Sequence, residues 1–250
     1  MLKEERQQAI IDLLRRDGKV QAADLITRLN VSEDTIRRDL NDLAEVGVLQ
    51  RVHGGALPRS PSLPYEQRVR ETDGAKRAIA QAAARLIHDK QMIFMDSGST
   101  VLEVVSYLPI DLHATIVTNS LPVAAALAQH TEVEVQVLGG RFKKDALAMV
   151  GVPVVEALRQ LRADLCVLGI CGLHPDIGIS MSDLEEAYVK RAMIEQAAEV
   201  VAVAGAAKLG TAAPYVIGPI SALTYLVTDG SIELPVLAPY QERGVIVVRS

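Results

Sequence analysis

Residues 92–100 read MIFMDSGST, an apolar run followed by an acidic residue and then by serine, glycine and threonine. Four consecutive apolar residues favour a buried β-strand, and the small polar residues after them favour a loop. A helix is predicted to begin directly after this loop, near Val101. Strand, loop and helix in this order form the repeating unit of α/β proteins. The stretch therefore predicts one such unit, with the polar loop at the carboxyl end of its strand.

Six further apolar runs follow the same pattern, with alanine-rich helical segments between most of them. The seven predicted strands cover residues 92–95, 115–118, 133–138, 165–170, 200–204, 223–228 and 245–248. Continuous apolar strands that alternate with helices indicate a mostly parallel sheet covered by helices on both faces. We therefore expect an α/β domain over residues 73–250, which opens with a helix from about Asp73 to His88.

The first 57 residues show a different pattern, in which apolar residues recur at helical spacing. Three helices are predicted over residues 5–16, 21–29 and 33–46, with Ser32 as the N-cap of the third. Residues 48–57 then predict two extended segments around a turn at Gly54 and Gly55. Helices followed by such a hairpin indicate a winged helix-turn-helix domain over residues 1–57, an arrangement that binds double-stranded DNA.

The third helix and the hairpin carry the predicted DNA contacts. If Ile36, Leu40 and Leu43 form the buried face, polar side chains at the start of this helix face outward. Hydroxyls bind phosphates or bases, and arginine binds guanine through two hydrogen bonds. The predicted contacts are Ser32, Thr35, Arg37, Arg38, Asn41, Arg51 and His53. The alternative is a helical interaction module whose arginines pair with neighbouring carboxylates.

Residues 58–72 separate the two patterns. Pro58, Pro61 and Pro64 interrupt regular structure there, with serines between them. Such a composition is typical of a linker. We therefore predict a connecting segment between two domains.

Several loops of the α/β domain predict a crevice for an anion. Residues 96–100, 118–120, 139–141 and 208–210 each follow a predicted strand. The carboxyl ends of parallel strands meet at one sheet edge, where ligands bind, and a helix N-terminus favours phosphate. Hydroxyls, an amide and one or two cations there suit a phosphorylated sugar or polyol. The alternatives are an ordinary capped helix at residues 96–100 and a solvated basic turn at residues 141–144.

The N-terminal segment resembles a known family. Residues 31–40, VSEDTIRRDL, followed by Leu43, Gly47, Leu49, Arg51 and HGGA at residues 53–56, are similar to the DNA-binding signature of the DeoR family. These proteins are bacterial transcription regulators of sugar and related metabolism. The match covers nearly all of residues 1–57 and fixes helix, spacing and wing together, so it implies DNA binding.

The resemblance continues through the α/β domain. It rests on DSGST at residues 96–100, TNS at 118–120, the glycine pair at 139–140, Glu186 with KRAM at 190–193, and KLG at 208–210. The family's effector domain is similar in fold to ribose-5-phosphate isomerase. The match implies that Ser97, Gly98, Ser99, Thr100, Asn119 and Lys208 line an effector pocket, and we add Asp96 and Arg141 from the same loops. Glu186 and Lys190 serve either this pocket or helix packing and ion pairing.

One stretch departs from the family pattern. The family commonly has an acidic residue and two polar residues before Lys208, where this chain has Gly205, Ala206 and Ala207. Contacts usually made there are missing, so we expect an effector that differs from the usual ones or binds weakly. Gly205 alternatively leaves room for a bulkier ligand.

These patterns predict a transcription repressor that forms a dimer or tetramer and responds to a phosphorylated sugar or related metabolite. The alternative is a sugar-phosphate isomerase with an appended helical domain, for which Asp96, Asp176 or Asp183 would supply a general base. An isomerase has no use for a DNA-reading domain, so the N-terminal segment favours the regulator.

Composition is compatible with this interpretation. The 250 residues carry a net charge of −5, but residues 1–60 hold ten basic and ten acidic side chains, so the negative balance lies beyond them. Cys166 and Cys171 are expected to be reduced and interior, and no metal or cofactor is expected. No apolar run reaches the roughly 18 residues that span a bilayer, and the first residues are not those of a signal peptide. We expect a cytoplasmic protein that does not contact membranes.

Overall fold

A computed structural model describes residues 1–61 and 63–250 of the chain. The helices are α1 (Lys3–Asp17), α2 (Ala22–Leu29), α3 (Glu33–Glu45), α4 (Tyr65–Arg70), α5 (Gly74–Ala84), α6 (Ser99–Val105), α7 (Leu121–Leu127), α8 (Val152–Arg159), α9 (Leu184–Glu195) and α10 (Leu234–Gln241). The strands are β1 (Val20–Gln21), β2 (Leu49–Val52), β3 (Gly55–Pro58), β4 (Met92–Met95), β5 (Ala114–Thr118), β6 (Val133–Val137), β7 (Arg141–Lys143), β8 (Ala148–Val150), β9 (Ala163–Gly169), β10 (Gly172–His174), β11 (Gly178–Met181), β12 (Ala197–Ala204), β13 (Tyr215–Gly218), β14 (Tyr225–Thr228) and β15 (Ile246–Arg249).

Helices α1 to α3 and strands β1 to β3 form the winged helix-turn-helix unit that the sequence predicts. The Ser32 hydroxyl caps α3 by accepting a hydrogen bond from the Thr35 backbone N–H at 3.3 Å. Ile36, Leu40 and Leu43 are buried in the core of this unit, as their spacing requires. The outward face of α3 is therefore free to meet another molecule.

The wing contains one strand more than predicted. Strand β1 pairs antiparallel with β3, so the wing is a three-stranded sheet in the order β1, β3, β2. The backbone of β1 runs so close to Gly55 that a Cβ on this residue would lie 2.0 Å from the Val20 carbonyl oxygen. A two-residue strand has no periodicity of its own, and only its pairing partner reveals it.

The seven predicted apolar runs all form strands of one sheet, with ends shifted by up to three residues. Every pair in it is parallel, in the order β15, β14, β12, β9, β4, β5, β6. The chain runs outward from β4 through β5 to β6, then returns and runs outward the other way from β9. Strands β4 and β9 therefore lie side by side where the direction of winding reverses, and this reversal is where open α/β sheets bind ligands.

Alternate residues of each central strand enter opposite cores. In β4, Phe94 packs with one cluster, which includes helices α8 and α9. Its neighbours Ile93 and Met95 pack with the other, which includes helices α5 and α6. This alternation is the two-residue period of a strand whose two faces are both covered. It confirms the predicted sheet with helices on both faces.

The connecting segment is more ordered than predicted. It contains helix α4, whereas the prolines led us to expect no regular structure. The Ala212 backbone N–H donates to the Pro58 carbonyl oxygen at 3.2 Å, and the Ser60 N–H donates to the Ala212 carbonyl oxygen at 3.1 Å. The buried Ser60 hydroxyl also donates to the Cys171 carbonyl oxygen. We call these contacts the Ala212 clamp. Through it, strand β3 of the wing continues directly into a contact with the α/β domain.

Candidate DNA-binding face and effector cavity

The loops after β4 and β9 meet at the reversal point of the sheet. The Gly169 backbone N–H donates to the Asp96 carboxylate at 2.9 Å, which joins the two loops directly. Above this contact lies the switch-point cavity, which consists of an inner hollow of about 70 Å³ and an outer one of about 340 Å³. Ser97, Gly98, Ser99 and Thr100 line the inner hollow. The structure therefore brings together four of the residues predicted to bind the effector.

Asp96 and Lys190 form a buried ion pair beneath this cavity, with side chains only 1% and 2% exposed. The Lys190 ammonium also donates to the Gly169 carbonyl oxygen at 2.9 Å. Asp96 was predicted to contact the effector, but its carboxylate is engaged by Lys190 and the Gly169 N–H. Lys190 thus forms an ion pair and also lines the inner hollow, so it meets both of the roles that the sequence left open, whereas Asp96 supports the cavity from below.

Lys208 lines both hollows. Its ammonium donates to the Ile170 carbonyl oxygen at 2.6 Å, at the end of β9. Burial lowers the pKa of Lys208 to about 8, and the nearby cations Arg68, Lys190 and Lys76 act in the same direction. This lysine is therefore a cation whose charged form a bound anion would stabilise.

Glu186 lines the inner hollow one turn before Lys190 on helix α9. Burial raises the pKa of this carboxyl. Cys171, which was expected to be interior, is only half-buried and lines the same hollow, whereas Cys166 is fully buried in the core.

Arg68 is the cavity residue that the sequence reasoning missed. It belongs to helix α4 of the connecting segment and lines both hollows. Its guanidinium lies over the Tyr65 ring, 5.5 Å from the ring centre. The Nε atom is buried and has no hydrogen-bond partner among the residues that the structure describes. A helix of six residues is too short for a recognisable period, and the prolines before it pointed to a linker.

The outer hollow carries a different set of groups. Gly205, Ala206 and Ala207 form part of its wall, and a Cβ at Gly205 would meet no atom within 4 Å. The departure from the family pattern therefore leaves open space at Gly205. This space is what the alternative of a bulkier ligand requires. Carboxylates of Glu71, Asp73 and Asp229 line the same hollow.

Besides Asp96, two predicted effector residues lie outside the set that lines either hollow. Arg141 belongs to β7, which forms a hairpin with β8 and carries this side chain to an ion pair with Glu185. The prediction treated residues 139–141 as a loop at the sheet edge and missed the hairpin. Asn119 donates to the Met149 carbonyl oxygen at 2.9 Å, so it ties β5 to the same hairpin. The basic turn is also paired, since Lys143 contacts Asp183 at 2.9 Å.

The predicted DNA contacts at the start of α3 share one outward face. Ser32 and Arg38 are exposed, and the Ser32 and Thr35 hydroxyls lie 2.9 Å apart. Arg37 forms an exposed ion pair with Asp34 at 3.2 Å, which the alternative interpretation anticipated. Arg38 has no ion-pair partner in the described part of the chain. This face therefore presents two hydroxyls and a free guanidinium to a partner.

The wing contributes differently from what the sequence suggested. Arg51 donates to the Asn41 side-chain oxygen at 2.7 Å and to the Arg37 carbonyl oxygen at 3.3 Å. Two predicted DNA contacts thus bind each other and brace the wing against α3. His53 is exposed, in a shallow cleft that His174 and Asp176 of the α/β domain also line.

Sequence reasoning also missed the role of Asp39, which stands between the predicted contacts on α3. Its side chain is only 2% exposed and forms an ion pair with Arg6 of helix α1. Gln7 approaches both Asp39 and Asp42. Asp39 therefore fixes the orientation of α3 against α1, and only the three-dimensional structure reveals this partner.

Metal and membrane sites receive no support from the described residues. No cluster of three or more histidine, cysteine or acidic side chains there has the geometry to hold a metal ion. No helix in residues 1–61 and 63–250 is long and apolar enough to cross a bilayer.

Two family models match separate parts of the chain without overlapping. Residues 6–61 match a DeoR-like helix-turn-helix domain. Residues 71–230 match the DeoR C-terminal sensor domain. Between them they include the DNA-binding face and nearly all of the parallel sheet.

Named relatives match over most of their length. The HTH-type transcriptional repressor GlcR of Bacillus subtilis is 34% identical over 232 residues, which cover 92% of this chain and 89% of that protein. The glycerol-3-phosphate regulon repressor of Escherichia coli is 33% identical over 231 residues, which cover 92% of each chain.

Solved structures show a weaker similarity. The full-length sorbitol operon regulator SorC from Klebsiella pneumoniae is 15% identical with a TM-score of 0.43, covering 94% of this chain and 97% of that one. A ribose 5-phosphate isomerase from Methanocaldococcus jannaschii is 15% identical with a TM-score of 0.37, covering 51% and 50%. At these TM-scores neither structure supports a further conclusion.

Proposed function

This chain belongs to the DeoR family of transcription regulators, and we propose that it represses genes of carbohydrate metabolism under the control of a phosphorylated sugar or polyol. The family makes it a DNA-binding regulator with a sensor domain rather than an isomerase. The observation that carries the effector proposal is the switch-point cavity, where Arg68 and Lys208 meet the Ser97, Ser99 and Thr100 hydroxyls. We propose a DNA-binding domain over residues 1–57, a connecting segment over residues 58–72 and a sensor domain over residues 73–250.

The chemistry of the cavity supports this effector class. Cations bind phosphate through charge-assisted hydrogen bonds, and hydroxyls add further donors. Carboxylates in the outer hollow are acceptors for the hydroxyl groups of a sugar or polyol. The naming of one relative as a glycerol-3-phosphate regulon repressor supports the same class.

A screen by thermal shift tests the effector proposal. Hexose monophosphates, glycerol phosphate and inorganic phosphate are each compared with the corresponding sugar or polyol that lacks phosphate. We expect at least one phosphate ester to raise the melting temperature, because a ligand that binds the folded state stabilises it. The proposal fails if none of them does.

Lys208→Met is expected to weaken binding of that phosphate ester by about 10-fold or more, since a hydrogen bond to a charged group contributes about 1.5–3 kcal/mol. The affinity of the wild type is expected to fall as the pH rises through about 8, because Lys208 then loses the proton that an anion stabilises. Titration calorimetry between about pH 7 and pH 9 measures this fall.

Lys208→Met is expected to abolish this pH dependence, whereas Lys144→Met, at an exposed lysine, is expected to retain both affinity and pH dependence. A variant lacking Lys208 with the pH profile of the wild type would show that another group titrates.

Operator binding is proposed to use the α3 face, with Ser32, Thr35, Arg37 and Arg38 at the major groove. We propose that the wing contacts the adjacent DNA backbone, where it is supported by Arg51, Asn41 and His53. Because the operator is chromosomal DNA, we propose that the protein acts in the cytoplasm.

Arg38→Ala is expected to weaken operator binding by about 5- to 100-fold, since one arginine contact to a base contributes about 1–3 kcal/mol. Arg85→Ala removes an arginine of the α/β domain that is also exposed and is expected to leave operator affinity unchanged. The measurement is a fluorescence anisotropy titration at fixed salt, with an operator selected from random duplexes. Equal affinity of the Arg38 variant and the wild type would exclude this residue from the interface.

We also propose that the regulator binds its operator as a dimer or tetramer. One winged domain covers only a modest surface, so high affinity requires two half-sites. Sedimentation equilibrium checks the state in solution, and a monomer with tight operator binding would contradict this part of the proposal.

A further inference from the structure

We infer that Arg68 is the residue that couples the effector to the DNA-binding domain, because it belongs to the connecting segment and faces the cavity. The inference rests on the proposed function, since it assigns a regulatory role to one wall of the same cavity. In this assignment, other cavity residues only bind the effector, whereas Arg68 also transmits the presence of the effector to the DNA-binding domain.

The first observation is that the connecting segment forms part of the cavity wall. Pro61, Leu63 and Arg68 all line both hollows. The remaining wall comes from the sheet edge, including Thr100 and Lys208. A ligand in this cavity therefore lies between the sensor sheet and the chain that leads to the wing.

The second observation is the unmet hydrogen-bonding capacity of Arg68. A buried Nε–H without a partner costs free energy, on the order of 1–3 kcal/mol. Arg68 Nε has no partner among the described residues, although its guanidinium is held over the Tyr65 ring. Arg68 lines both hollows, so a phosphate ester there offers acceptors to its guanidinium, and arginine binds phosphate through two parallel hydrogen bonds.

The third observation is the short path from the cavity to the wing. Lys208 lies four residues before Ala212 in one loop, and the Thr211 hydroxyl donates to the Lys208 carbonyl oxygen at 2.9 Å. Ala212 in turn holds Pro58 and Ser60 through the Ala212 clamp. The connecting segment is thus fixed to the sensor domain at the clamp, and Arg68 stands at its far end.

These contacts define the coupling. A phosphate bound by Lys208 from the sheet side and by Arg68 from the connecting segment fixes the segment at a second point. The two states, with and without this bridge, hold the wing differently. An effector changes operator affinity only by its different affinity for two such states.

Arg68→Met tests the inference, because methionine keeps most of the aliphatic stem over Tyr65 and removes the cation. The quantity is the ratio of operator Kd values with and without a saturating concentration of the phosphate ester that stabilises the wild type. For the wild type we expect a ratio of about 5 to 150 in either direction. For Arg68→Met we expect a ratio near one at saturation.

Thr100→Ala is the matched control. Thr100 lines both hollows from the sheet side, so its loss weakens binding of the ester but leaves the bridge intact. Saturation then restores the ratio of the wild type. A second readout is amide hydrogen exchange of residues 63–72, which we expect the ester to slow in the wild type and in Thr100→Ala but not in Arg68→Met.

The outcomes are distinct. If the ester changes operator affinity in the wild type and Arg68→Met retains the full ratio at saturation, the inference is wrong while the proposed function stands. If no phosphate ester or inorganic phosphate stabilises the wild type, the proposed function fails and the inference falls with it. A melting temperature of Arg68→Met without ligand equal to that of the wild type shows that the variant is folded.

Discussion

Lys190→Met is expected to lower the free energy of unfolding of the sensor domain by about 3–5 kcal/mol, the usual cost of removing one partner from a buried ion pair. Asp96 would lose its cationic partner in a site that is 1% exposed, where the Gly169 N–H and the Ser97 hydroxyl are its remaining donors. The loops after β4 and β9 lose the ammonium that joins them. We therefore expect the affinity for phosphate esters to fall as well, since Lys190 also lines the inner hollow.

Urea denaturation followed by circular dichroism measures this loss, with Lys144→Met as the control at an exposed lysine. The double variant Asp96→Asn with Lys190→Met separates charge from packing. Its neutral amide still accepts the Gly169 hydrogen bond, so we expect it to be more stable than Lys190→Met alone. A double variant less stable than the single one would show that the unpaired charge is not the cause.

Asp39→Ala is expected to unfold the winged domain and thereby abolish operator binding, because this side chain is only 2% exposed and pairs with Arg6. Arg6, itself 13% exposed, would lose its carboxylate, at a cost of about 3–5 kcal/mol. Domains of this size are only marginally stable, so such a loss approaches their whole stability. The α/β domain has its own cores and is expected to keep its affinity for phosphate esters.

Asp42→Ala, on the same helix, provides the control. Its ion pair with Lys3 is exposed, and exposed pairs contribute about 0–1 kcal/mol. Anisotropy measures operator binding and thermal shift measures effector binding for both variants. A folded Asp39 variant that has lost only operator affinity would assign Asp39 to DNA contact instead of to packing.

The sequence predicts most of the fold because its strongest signals are local. The apolar runs at residues 92–95 and 200–204 are strands because both of their faces are covered, and Ser32 caps α3 with its own hydroxyl. Strand β1 depends instead on its pairing with the distant strand β3, whereas β7 and β8 form a hairpin of two three-residue strands and helix α4 has six residues. Nothing in their own few residues distinguishes them from loops.

The same distinction applies to the site. The loop at residues 97–100 could be placed at the cavity, because sheet edges follow from strand order. The predictions for Asp96 and Arg141 failed to anticipate their partners Lys190 and Glu185, which come from helix α9. Arg68 was missed because its importance lies in an unpaired atom, and a sequence shows residue types but not which atoms lack partners.

The order of the sheet also determines when the regulator becomes complete during synthesis. The two strands at its centre pair across a separation of 73 residues, as measured from Asp96 to Gly169, and such distant contacts form slowly. The N-terminal helices, by contrast, close over short separations and leave the ribosome first. Since Ala212 follows them by more than half the chain, the wing exists before anything holds it. In a newly made chain the winged domain is therefore expected to fold before the effector cavity exists.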